Sequence, residues 1–168
     1  MAEPVEHIRA WLDQLTAEPS LAEEAGRAVA AMGWQASHGL EVLVSALRDP
    51  ESPPARRVAA TALLGHVRNE VAVEPLVQAV LDDDPAVRWE AAASLCRLAD
   101  LATPVLVEGL RHYNPEIRKV AVHALGVIGP GAAAAVPELS KLLNDPRPKL
   151  RRRVEAALRE ITGGGTEV

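Results

Sequence analysis

Five histidines, one cysteine, an aspartate triplet and a dense arginine run are the residues through which this sequence could do chemistry. His7, His38, His66, His112 and His123 fall in separate segments without the spacing that sets two metal ligands on one helix face. They read as surface or turn histidines. Cys96 could act as a nucleophile, but no base is adjacent to it in sequence, so it reads as a helix-surface thiol. As the sole cysteine, it also excludes an internal disulfide and a cysteine zinc site. Asp82-Asp83-Asp84 would attract a cation, yet the proline that follows gives Asp84 a simpler task in a turn and cap. The sequence contains no Gly-rich phosphate loop, no G-x-S-x-G and no H-E-x-x-H. Gly163-Gly164-Gly165 leads into no helix, so residues 163–168 read as a flexible tail. The terminal Thr166-Glu167-Val168 has the form of a sheet-edge ligand, but three residues match by chance. The expectation is a chain without catalytic residues, metal or cofactor, and therefore not an enzyme.

The elements that carry these residues are written in a repeat. Thirty Ala, 21 Leu and 19 Val stand against no Phe, one Tyr and three Trp, a composition that favours helix over strand. "EVLVSALRDPESPPARRVAATALLGHV" returns as "EPLVQAVLDDDPAVRWEAAASLCRL", "PVLVEGLRHYNPEIRKVAVHALGVI" and "PELSKLLNDPRPKLRRRVEAALREI". Leu43, Leu76, Leu106 and Leu139 open the copies. Asp49-Pro50, Asp84-Pro85, Asn114-Pro115 and Asp145-Pro146 divide them, and Arg57, Arg88, Arg118 and Arg151 follow. Pro75, Pro104 and Pro137 sit where a first helix would begin. The Asp-Pro or Asn-Pro pair stops that helix and caps the second.

In the second helix Val87, Ala91, Leu95 and Leu98 form one apolar stripe. Ile117, Ala121, Leu125 and Ile128 repeat it, as do Leu150, Val154, Leu158 and Ile161. A helix pair of this kind cannot bury itself, so neighbours must stack. The N-terminal stretch repeats the spacing loosely, through Val5, Ile8, Leu12 and Leu15, then Leu21, Ala25, Val29 and Met32. The expectation is one all-α domain over 1–162, with a degenerate pair at 4–40 and repeats at 41–72, 73–103, 104–134 and 135–162. That makes about five antiparallel helix pairs.

The run Asp84 to Leu98, with its D-P-x-V-R-x-x-A-A-x-x-L-x-x-L pattern, resembles a HEAT repeat. The roughly 31-residue period is similar to the short bacterial and archaeal subclass named after phycobilisome lyases. The resemblance implies a right-handed α-solenoid. It also implies that Asp84, Arg88, Arg118, Asp145 and Arg151 form a hydrogen-bonded ladder between repeats. The first clear unit departs from the pattern, since "PESPPAR" lengthens its turn and places Arg56 on the stripe.

Residues two, six and nine beyond the start of each stripe point away from the core. They are Trp89, Ala93 and Cys96, preceded by Val58, Ala62 and Gly65, and followed by Lys119, His123 and Gly126, then Arg152, Ala156 and Arg159. The resemblance implies that these second-helix residues line a continuous concave groove. Trp89 there is either a binding hot spot or a shield for the neighbouring helix. The leading expectation is a non-catalytic scaffold binding a protein partner through Val58, Trp89, Ala93, Cys96, Lys119, His123, Arg152 and Arg159. The alternative is a bilin-lyase-like or DNA-glycosylase-like HEAT enzyme, or nucleic-acid binding through the basic last repeat.

Charge weighs against nucleic acid. Residues 1–100 carry 16 acids and 8 Arg, whereas residues 101–168 carry 7 acids and 10 cations. A long phosphate track would be repelled by the first part. An acidic start without a signal-peptide pattern, and no long uninterrupted apolar run, lead to the expectation of a cytoplasmic chain without a membrane segment.

Overall fold

Helix starts follow the capping chemistry. Asp84 Oδ1 accepts the Ala86 N–H at 2.8 Å ahead of the helix Pro85–Arg97, and Asn114 Oδ1 accepts the Glu116 N–H at 2.9 Å ahead of the helix Pro115–Ile128. Pro85 and Pro115 each open the helix that follows. The computed structural model describes residues 4–32 and 39–163. Among them are ten α-helices and no strand. They are α1 (Pro4–Ala17), α2 (Ala22–Ala31), α3 (Leu40–Arg48), α4 (Pro54–Leu64), α5 (Val73–Ala79), α6 (Pro85–Arg97), α7 (Ala99–Leu110), α8 (Pro115–Ile128), α9 (Val136–Lys141) and α10 (Pro148–Thr162). His38, Gly164, Gly165 and the Thr166-Glu167-Val168 terminus lie outside the described residues.

Two landmarks move. The sequence reading opens the fourth pair at Pro104, but α7 starts at Ala99 and holds Pro104 inside it. Ala99, Leu101 and Ala102 are good helix formers, and burial of Ala102 holds that extra turn against the core. Asp145 precedes α10 by three residues and accepts the Arg147 N–H, so it shapes the turn and leaves Arg147 at the cap position. Asp49 does the same for Glu51, and α4 waits for Pro54.

The chain groups into two compact units, residues 1–97 and 98–168. In the first, α1 and α2 lie on α4, α3 pairs with α4, α4 meets α6, and α5 pairs with α6. Its core is Ile8, Leu12, Val29, Leu43, Leu63, Leu64, Leu76 and Leu95, each fully enclosed. In the second, α7 pairs with α8, and α10 packs on both α8 and α9 around Leu98, Leu125, Leu139 and Val154. The stripe is buried as read, except that Ile117 is 41% exposed and Leu158 is half-buried beside the buried Ala157. The segment 115–144 contains a window of mean hydropathy 1.6, but it is not one rod. Gly129 at φ 64° ends α8 in a backbone conformation that favours glycine, and α9 follows a 3₁₀ turn.

Candidate functional site

The repeated arginines serve the turns. Arg88 Nη1 donates to the carbonyls of Asp82 and Asp83, both at 2.8 Å. Arg118 donates to those of His112 and Tyr113, and Arg151 to that of Asp145 at 2.7 Å. Each reaches back five or six residues and ties its second helix to the turn before it. These bonds lie within one repeat, because a guanidinium one turn into the helix meets its own turn's carbonyls first, while the Arg118 charge also acts on Asp145 of the next repeat. Asp84 is occupied by the cap and Asp145 by Arg147.

Rungs between repeats use other residues. Arg57 binds both carboxylate oxygens of Asp82, at 3.0 and 3.3 Å, with side chains only 13% and 16% exposed. Arg48 pairs with Glu74, and Arg111 with Glu138 at 2.9 Å. Sequence reasoning missed these two although a signal was present, because L-V-x-x-L-R stands at both 43–48 and 106–111. Arg56, out of place on an apolar stripe, reaches Asp13 of α1 at 2.6 Å. Asp82 and Asp84 are thus committed to Arg57 and to the cap, and among the described residues no cluster of metal-ligating side chains forms.

On the first unit's second helices, Trp89 is 75% exposed, Cys96 is exposed and Ala93 is half-buried. Trp89 is therefore no shield for a neighbouring helix. Val58 is half-buried, while Ala62 and Gly65 are buried instead of outward. A Cβ at Gly65 would lie 2.4 Å from Ser94 Oγ, so α4 and α6 touch at that glycine.

A polar chain crosses the same contact. Ser94 Oγ donates to the Thr61 carbonyl at 3.0 Å and accepts from Arg97 Nη2 at 2.8 Å, and Arg97 pairs with Glu90 at 2.7 Å. His66 stands near this pair, opposite Gly26, where a Cβ would come within 2.4 Å of its Nε2. Burial first, then the Arg97 charge, hold the His66 imidazole below its ordinary range against the opposing pull of Glu90. The sequence separates His66 from Glu90 by 24 positions, and only the stacking of α6 on α4 joins them.

On the second unit, Arg152, Ala156 and Arg159 are exposed along α10, and Lys119 and His123 are half-buried on α8. A cleft of about 610 Å³ opens between the first turns of α8 and α10, with Glu116 and Lys119 on one wall and Arg147, Lys149 and Arg153 on the other. Lys119 pairs with Glu116 and holds that carboxyl below its usual range. Burial, then Arg153, lower His123. His7 is exposed on α1, and the Nδ1 of His112 accepts the Asn114 N–H at 3.0 Å within a turn.

A family model described as HEAT repeats matches residues 8–96 and again 73–159. The chain belongs to the HEAT-repeat family. This HEAT chain is 32% identical to phycocyanobilin lyase subunit alpha of Picosynechococcus, over 91% of its own length and 66% of the relative's. It is 31% identical to a HEAT repeat-containing taxis protein of Halobacterium salinarum, over 77% of its length and 36% of that protein. Among solved structures, the complex of CpcE and CpcF of phycocyanin lyase from Nostoc matches 97% of the chain and 66% of the matched one. That match has 24% identity and a TM-score of 0.44. The similarity to a lyase subunit corrects the expectation of a chain with no enzymatic role. That expectation rested on the lack of a recognisable catalytic motif.

Proposed function

We propose that this HEAT chain serves as one subunit of a lyase-type enzyme that handles a bilin together with a partner protein. The observation that carries the reading is the similarity to phycocyanobilin lyase subunit alpha along 91% of the chain. The α6 surface supports it chemically. An indole that is 75% exposed is a flat apolar face on which a conjugated tetrapyrrole stacks, and the small Ala93 one turn on leaves room beside it. The second-helix residues Val58, Trp89, Ala93 and Cys96 in the first unit, and Lys119, His123, Arg152 and Arg159 in the second, face the partner protein.

Titrating phycocyanobilin into the chain and following visible absorbance and emission tests the reading. A saturable spectral shift is expected, with Trp89→Ala weakening it by about tenfold or more while the thermal melt stays in place. No saturable change at micromolar bilin removes the bilin from the reading. A shift that Trp89→Ala leaves intact moves the site off α6.

A further inference from the structure

We propose that the cleft between the first turns of α8 and α10 binds an acidic segment of a partner protein, its carboxylates pairing with Lys149 and Arg153. Four cations line this cleft against one carboxylate, Glu116. Two of the four are already held. Lys119 is paired with Glu116, and Arg147 grips Asp145 through Nε at 2.8 Å and Nη2 at 2.7 Å. Among the described residues Lys149 and Arg153 have no ion pair, and both are exposed, so their charge is available to a ligand.

The apolar part of the lining is Pro115, Pro148 and the buried Leu150. At about 610 Å³ the cleft lies within the range of ~300–1,000 Å³ that holds a compact ligand. Cations beside a proline and leucine lining suit a short peptide that alternates carboxylates with aliphatic side chains.

The same lining disfavours a nucleic acid. It holds no aromatic ring to stack a base, and Glu116 is fixed inside it by Lys119. The chain as a whole carries 23 acids against 18 cations, a net charge of −5 that opposes a long phosphate track.

A fluorescein-labelled peptide of repeated Glu-Leu pairs, followed by anisotropy against the full chain at low salt, tests the proposal. Saturable binding is expected, weakening steeply as salt rises. The double variant Lys149→Glu with Arg153→Glu should lose about tenfold or more in affinity at an unchanged melting temperature. Arg27→Glu, a charge reversal on exposed α2, should stay within about twofold. A single-stranded oligonucleotide of equal charge should bind about tenfold more weakly than the peptide. Equal peptide affinity in the double variant overturns the proposal. So does no binding at low salt, or tighter binding of the oligonucleotide.

Discussion

Asp145 accepts three donors from Arg147, and its side chain is only 9% exposed. Its carboxyl is held at about 2, down from an ordinary 3.8, chiefly by the side-chain bond from Arg147. A carboxyl whose folded value is depressed stabilises the fold above its unfolded value and loses that contribution as pH falls through the folded one. The Asp145 contribution is therefore complete above about pH 4 and fades toward pH 2. Asp145→Asn keeps one oxygen to accept the Arg147 N–H, removes the titrating charge and puts an NH2 where Oδ2 accepts from Arg147 Nη2. Urea melts between pH 2 and 5 should show a shallower loss of stability in the variant than in the parent. It will not be flat, because Glu138 is also held at about 2 by Arg111 and Lys141. Parallel pH profiles in the two proteins would place the Arg147 bond outside the stability of the fold.

The helical stripes and the caps at Asp84 and Asn114 were legible because both are local: a 3.6-residue period and a side chain two residues before its donor. Contacts between elements were not. A wheel drawn on one helix places Gly65 and Gly126 outward with Trp89 and Lys119, yet both glycines are where second helices touch. A Cβ at Gly126 would stand 3.2 Å from Cα and Cβ of Ala157, and one at Gly65 would strike Ser94 Oγ and Cβ. No single-helix pattern reports which flank a neighbour will cover, and for the same reason the meeting of His66 with Arg97 was invisible. The α4–α6 contact supplies a test. Gly65→Ala adds one methyl at 2.4 Å from Ser94 Oγ and 2.9 Å from Arg97 Nη2, where both atoms are already engaged. Forcing an extra carbon into a packed contact costs about 1–3 kcal/mol, which outweighs the gain of about 1 kcal/mol from helix propensity. A net loss of stability in chemical denaturation is expected. A net gain would mean that the helices part there without cost.

Across the whole molecule the charges are divided. The first 100 residues carry 16 acids against 8 Arg, and the remainder 10 cations against 7 acids. Such a division acts through its field, on the rate at which a charged partner arrives, more than on the strength of the final contact. In the proposed subunit contact the exposed side chains take two separable roles. Trp89 offers apolar area that is stripped of water as the proposed partner settles, so its loss acts on dissociation. Arg152 is exposed on α10 and has no ion pair among the described residues, so its reversal subtracts from the field and leaves the fold alone. Surface plasmon resonance on the proposed partner subunit, recovered from the native host, distinguishes them. Trp89→Ala should raise the dissociation rate and weaken binding about tenfold or more at any salt. Arg152→Glu should slow association of an acidic partner, with the deficit closing as ionic strength rises and the Debye length shrinks from about 10 Å at 0.1 M. If both variants change the same rate constant with the same salt dependence, the two residues belong to one contact, and the charge division plays no part in the encounter.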